Sequence, residues 1–334
     1  MAIVVGSVVI VLGLPFLFWR LMMPENDDQK FMGYLNADQK ALAEQLESDV
    51  RYLSETIGER NMHRTGTMDI TAAWIESRFG EIGFDRIDRQ TYTLQRSVYH
   101  GREADNLIAE VAGIKDTKKV LIVGAHYDTV PNSSGANDNS SAVAALLALA
   151  RHFMDQPADI TLRFVAFANE EPPFFRTSDM GSYAYAKSLK NQNEYIIAML
   201  SMDGLGYFSD EPGSQHYPLP GIGLLYPDTA NFIAFVTRFK DYRLMNKALK
   251  AFRNSADIPA EGVALPGFIP GVTWSDHWSF WRHGFPAFLV TDTLPFRDPN
   301  YHTPRDTPDK LDFERMALVV EGLAGAIRHL GENK

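Results

Sequence analysis

Lys119 to Asp128 reads KVLIVGAHYD. After one lysine the stretch is apolar without a break until it meets His126, Tyr127 and Asp128. A short, continuous, β-branched run predicts a strand buried on both faces, as in a parallel sheet covered by helices. The abrupt change at His126 places an imidazole and a carboxylate where that strand ends.

The same alternation continues on both sides. Ser140 to Phe153 is alanine-rich and apolar and predicts a helix; Ile160 to Ala168 predicts a second buried strand. Gly181 to Leu189 reads as a helix and Tyr195 to Met202 as a third strand. Upstream, Thr91 to Tyr99 and Asn106 to Val111 read as strands. They follow helices at Met68 to Glu81 and Ala37 to Ile57; in the latter, Leu42, Leu46, Val50 and Leu53 recur at helical spacing. Gly204 to Thr273 is rich in Pro, Gly and aromatics and predicts loops, one or two helices and a strand at Gly221 to Tyr226. Pro286 to Val290 reads as a late strand, and Leu311 to Leu330 as a closing amphipathic helix. This order predicts an α/β three-layer sandwich, with a mostly parallel mixed central sheet flanked by helices. No linker interrupts it, so residues 24–334 read as one domain.

The N-terminus is different. Ala2 to Trp19 carries no charge, and Arg20 is the first charged residue. That length is near the lower limit for a transmembrane helix. A cleaved signal peptide needs a basic start and small residues at its end, whereas Leu17 to Met23 is bulky. Residues 1–23 are therefore expected to be a transmembrane anchor. Arg20 hints at a cytoplasmic C-terminal side.

Composition narrows the chemistry. The 334 residues carry 42 acids against 32 Lys and Arg, a net charge of −10. No broad basic surface is available for nucleic acid, so no such partner is expected. There is no cysteine. Disulfides, thiolate nucleophiles and cysteine metal sites are excluded, and any metal must sit on His, Asp and Glu.

In open α/β sheets, sites form beyond the carboxyl ends of the strands. Three successive predicted strands run into His126-Tyr127-Asp128, Asn169-Glu170-Glu171 and Asp203. Gly135-Ala136-Asn137-Asp138-Asn139 precedes a helix, and Tyr301-His302-Thr303 follows the last strand through a short loop. Singly, each has an ordinary explanation: Asp138 as a helix cap, Asp203-Gly204 as a turn, Glu170-Glu171 as a solvated face. Jointly they supply the donors that a paired-metal site needs.

These stretches resemble the co-catalytic two-zinc aminopeptidases, the bacterial leucyl and Streptomyces-type enzymes, to which glutamate carboxypeptidase and glutaminyl cyclase are related. The resemblance covers roughly residues 60–330. It rests on AHYDTV (125–130), GANDNSSAVAALLALA (135–150), FANEE (167–171), MGSYAYA (180–186), Met202-Asp203, SDHWSF (275–280), HGFPA (283–287) and YHTPRDTPD (301–309). It implies that His126 and Asp203 bind one Zn²⁺, Glu171 and His302 a second, and Asp138 both, with other divalent metals possible. Asp128 would orient His126, Glu170 would act as general base on a water shared by the metals, and Tyr301 would help stabilise the oxyanion. A cis peptide between Asp138 and Asn139 is implied as well. The implied activity is removal of N-terminal residues from peptides, with the catalytic domain on the extracytoplasmic side. A single-zinc glutaminyl cyclase-like acyltransferase is the alternative. Carboxypeptidase and dipeptidase action, the substrate residue and the oligomeric state stay open.

Three departures stand out. Asn169 occupies a position where glycine is commoner, and Ser141 another. Pro172-Pro173-Phe174-Phe175 follows the acidic pair and is expected either to wall an apolar substrate pocket or to pack as a loop.

Overall fold

The computed structural model describes residues 34–332 apart from 191 and 193. Its eight-stranded sheet runs in the order β1 (Ile87–Thr93), β2 (Glu103–Val111), β4 (Thr161–Phe167), β3 (Lys119–His126), β5 (Tyr195–Met202), β8 (Ala287–Thr291), β6 (Ile233–Thr237) and β7 (Ala260–Ala264). The central four, β4, β3, β5 and β8, are parallel. β1 and β2 add antiparallel to one side. On the other, β6 lies antiparallel to β8 and parallel to β7. The sheet is mixed, as the alternation predicts.

The helices are α1 (Ala37–Arg51), α2 (Thr67–Ile82), α3 (Ala142–Asp155), α4 (Gly181–Leu189), α5 (Tyr242–Arg253), α6 (His277–Arg282) and α7 (Phe313–Leu330). Side chains alternate across a strand, so the apolar run of β3 feeds two cores. Leu121 and Val123 enter a large one with residues of α1, α2, α3, α5 and α7. Val120 and Ile122 enter a smaller one with Tyr185 and Leu189 of α4 and Phe280 of α6. Each such side chain contributes about 1.5–3 kcal/mol on burial. Two helical layers sandwich the sheet, and this is why the run needs no polar alternation.

Two expected strands need correction. Gly221 to Tyr226 is not a strand: Ile222–Leu224 is a 3₁₀ turn, Gly221 has φ 89°, and Leu224 is 89% exposed. The strands of that region are β6 and β7. Thr91 to Tyr99 is only half right. β1 begins earlier, at Ile87, and Ser97–Tyr99 is a 3₁₀ turn. β1 reads IDRQTYT and forms the edge of the sheet, half exposed, so no apolar run marks it.

The expected anchor, residues 1–23, lies outside the described residues. Among the described residues, no helix is long and apolar enough to cross a membrane.

Candidate metal centre

β3 ends at His126 and β5 ends one residue before Asp203. The two strands are parallel neighbours, so these side chains share one edge. β4 is parallel to β3 on its other side and ends at Phe167. Beyond it, Asn169 turns the chain with φ 57°. Glycine adopts that left-handed conformation freely, and asparagine tolerates it better than most residues. The departure at position 169 therefore keeps the turn that delivers Glu170 and Glu171, both buried.

The five expected donors converge in two groups. His126 Nε2 lies 3.3 Å from Asp138 Oδ1 and 3.4 Å from Asp203 Oδ1. His302 Nε2 lies 3.1 Å from Asp138 Oδ2 and 3.1 Å from Glu171 Oε1. The two oxygens of Asp138 thus face different imidazoles. Donor atoms within each group lie within 4.8 Å of one another, so each group could hold a metal ion.

The donors fit a cation. His302 Nε2 and Glu171 Oε1 are shielded from solvent and 3.1 Å apart, yet neither has a hydrogen-bond partner. Buried polar atoms left without a hydrogen bond are atoms that a cation could satisfy. Imidazole and carboxylate are the donors that divalent zinc accepts. Nothing softer is present.

The electrostatics show strain that a cation relieves. Burial drives Glu170 well above the ordinary carboxyl range; His126 opposes this and Glu171, Asp203 and Asp276 add to it. Glu171 is raised too, by burial and then by Asp138. Burial acts to lower both histidines, but the carboxylates override it. Asp203, Asp128 and Asp138 hold His126 up; Asp138 and Glu171 raise His302 to about 10. Asp138 is lowered despite burial, because both histidines face it.

Asp128 does more than the sequence suggests. Its carboxylate lies 3.4 Å from His126 Nδ1. It also accepts the backbone N–H of Glu170 at 2.9 Å and of Glu171 at 3.0 Å. The Asp128 carbonyl lies nearer still to His126 Nδ1, at 3.2 Å, so backbone and side chain of one residue together contact the imidazole while the side chain holds the adjoining acidic pair. The Asp138–Asn139 peptide is cis. The Asn139 side chain donates to Met202 O and accepts from Gly204 N, bracketing Asp203. Asn139 stands in GANDN, where nothing in the local sequence marks these contacts.

A model of peptidase family M28 matches residues 106–327. The chain belongs to peptidase family M28.

It is thus a peptide hydrolase. Within sequence comparisons, it is 38% identical over 291 residues to the uncharacterized protein YfbL of Escherichia coli (strain K12), covering 85% of this chain and 87% of that one. It is 25% identical over 311 residues to leucine aminopeptidase 1 of Paracoccidioides brasiliensis (strain Pb03), covering 85% and 74%. Two solved structures share the fold. BSAP, a zinc aminopeptidase from Bacillus subtilis, has a TM-score of 0.67 at 16% identity, with 87% of this chain and 95% of that one covered. Glutaminyl cyclase of Bacteroides thetaiotaomicron has a TM-score of 0.63 at 17% identity, with 86% and 97% covered.

In this M28 chain an apolar cavity of about 110 Å³ opens beside Asp203 and Tyr301. Tyr217, Tyr226, Phe232, Trp274 and Phe296 supply its aromatic walls. Those walls come largely from the Pro-, Gly- and aromatic-rich region after Gly204. Pro172 to Phe175 are not among the lining residues; Phe174 is buried and packs on Tyr99 with ring centroids 5.0 Å apart. Of the two expectations for that insertion, the packed loop describes Phe174. Tyr301 stacks on His302 at 3.7 Å, and burial with the nearby carboxylates raises its phenol, which keeps the O–H as a donor.

Proposed function

We propose that this M28 peptidase is a metal-dependent aminopeptidase that works with two Zn²⁺ ions. His126 and Asp203 would hold an inner ion, Glu171 and His302 an outer ion, and Asp138 both. The observation that carries the reading is Asp138, whose two carboxylate oxygens face separate donor groups. The likeness to aminopeptidases among both sequences and structures supports it.

When bound, the ions supply Lewis acidity toward the scissile carbonyl and the attacking water. The chain's own residues do the rest. Glu170 is buried next to Glu171, and its Oε1 has no hydrogen-bond partner. It takes the proton from the attacking water and returns it to the leaving amine. Tyr301 donates its O–H toward the developing oxyanion. Asp128 holds His126 and the Glu170–Glu171 backbone in register. The apolar cavity beside Asp203 and Tyr301 receives the substrate's N-terminal side chain.

Residues 24–334 are proposed to form one catalytic domain. Residues 1–23 would anchor it to a membrane with that domain extracytoplasmic; the uncharged run Ala2–Trp19 supports the anchor. Resistance to carbonate extraction tests the anchor, and external protease on spheroplasts tests the side.

The activity is tested with metal-loaded protein on aminoacyl anilides, a blocked analogue and a glutaminyl peptide. Release from free N-termini alone, with two ions per chain, is expected. Ring closure of the glutaminyl peptide without hydrolysis overturns the reading in favour of a cyclase.

A further inference from the structure

The turn that carries Asp138 has few ladder partners, and buried backbone groups must be satisfied somewhere. Four of its donors go to one residue. Asp306 Oδ1 accepts Asn137 N at 2.7 Å, and Oδ2 accepts Asp138 N at 3.1 Å. The Asp306 carbonyl accepts Ser134 Oγ at 2.6 Å and Ala136 N at 3.3 Å. Three of its acceptors go to another. Arg60 donates to Ser134 O at 2.7 Å, Gly135 O at 3.1 Å and Ser140 Oγ at 2.8 Å. Its Nε donates to Tyr127 O at 2.9 Å, between His126 and Asp128. Both side chains are buried, Arg60 completely. All hydrogen-bond acceptors of the Arg60 guanidinium are neutral. A buried charge is costly without compensation, and the anions acting on it are Asp306, Asp128 and Asp138.

We infer that Asp306 and Arg60 are positioning residues that grip the 134–140 turn from opposite sides and set the Asp138 carboxylate between the two donor groups. The inference rests on Asp138 being the shared ligand. Asp306 lies four residues after His302, so one loop supplies an outer donor and also orients the shared one. Arg60 lies outside the region matched by the family model. Through it the N-terminal segment reaches the backbone of the centre. Gly135 is where the grip is tightest: at φ 60°, a Cβ there would lie 2.4 Å from Asp138 O and 3.0 Å from Arg60 Nη2.

The test is Asp306→Asn in the full chain, assayed with an aminoacyl anilide across a zinc titration. The amide keeps one acceptor and turns an N–H₂ on the other backbone donor. At saturating zinc, kcat should fall about 10–100-fold, with KM changed less than about twofold. Arg60→Lys keeps the charge but loses the fork and should act in the same direction. The double variant should lose less than the product of the two, because both act on one turn. A merely structural role lowers Tm and leaves kcat intact in folded, zinc-saturated protein. That result, or fully multiplicative losses, overturns the inference. If Asp306→Asn does not fold, Arg60→Lys decides by the same criterion. Asp138→Asn run in parallel separates the two readings: if it keeps both ions, the shared-ligand reading has failed rather than the grip.

Discussion

His126 and Asp203 stand at the ends of adjacent parallel strands in the middle of the sheet, with side chains 1% and 4% exposed. Glu171 and His302 stand on loops; His302 has φ 58° and a side chain 30% exposed. The inner donors inherit their spacing from strand pairing, whose hydrogen bonds exist whether or not a metal is bound. The outer donors depend on local turns, on Asp128 holding the Glu171 backbone and on the loop that also carries Asp306. The difference teaches where preorganisation comes from: the sheet builds one half of the centre and side-chain contacts build the other. Asp138 faces both halves with its own carboxylate oxygens, and Asp128 ties the His126 ring to the Glu171 backbone.

The largest effect should come from that joint. Asp138→Asn removes a charge facing both histidines, and it should cost both ions at once. The activity loss should exceed the roughly 10²–10⁴-fold that attaches to a single proton-transfer residue. Metal analysis of the purified variant checks this. Retention of the inner ion would show that the two groups are independent and would break the comparison.

Glu170→Gln should follow. The side chain is nearly isosteric and is not assigned to either ion, so the fold and both ions should remain. Its loss is proton transfer, about 10²–10⁴-fold in kcat with KM little changed. Glu171→Gln is the contrast: it should weaken the outer ion, and excess zinc should partly restore activity. If Glu170→Gln strips metal instead, the adjacent glutamates have been given each other's roles.

A histidine pair probes the two halves directly. His302→Ala should leave the inner ion bound and raise the outer ion's apparent dissociation constant at least the 10–100-fold typical of losing an indirect partner, by rough analogy. His126→Ala should disturb both, because Asp138 Oδ1 and Asp203 lose their common neighbour. Equal behaviour of the two variants in equilibrium dialysis would remove the distinction between the halves.

The inner half was the more legible from sequence, for a physical reason. A strand buried on both faces writes a continuous apolar run, and the residue that ends the run is visible. KVLIVGA therefore announced His126, and YIIAMLSM announced Asp203. Both runs match β3 and β5 closely. Loop donors write no such pattern. Glu171 and His302 stand a few residues beyond predicted strands, so periodicity places them only loosely, and their ligand roles come from the family resemblance. The first half of edge strand β1 and the pair β6–β7 escaped for a related reason. β1 is half exposed, and β6 and β7 are five residues each, in a region dominated by Pro and Gly. Asn139, Arg60 and Asp306 act through backbone groups of distant residues. Nothing in local sequence marks such a contact, which spans 168 to 169 positions between Asp306 and the turn.

The smallest predicted effect is a graded one, the pH dependence of metal retention. In the metal-free chain, Asp138 and Glu171 outweigh burial and raise His302 to about 10. Its imidazole therefore stays doubly protonated through the neutral range, and an ion must expel the proton on the nitrogen it binds. Lowering the pH strengthens the proton as competitor, so affinity falls as pH falls, about tenfold per pH unit for each proton displaced. The carboxylates raise His126 in the same direction, so the inner ion obeys the same sign. The halves should differ in order. His302 Nε2 is shielded, but its side chain is 30% exposed and stands on a loop, so the ring can turn out to a proton without disturbing the sheet. His126 is 1% exposed, with Asp128 at Nδ1 and Asp138 and Asp203 at Nε2, so its donors stay aligned for an ion after the outer group has let go. Dialysis of the loaded protein at stepwise lower pH should show two losses, the outer ion leaving first. His302→Ala should abolish the first step and leave the second in place. One merged step, or loss of the inner ion first, would mean that strand ends confer no advantage over loops in holding a metal here.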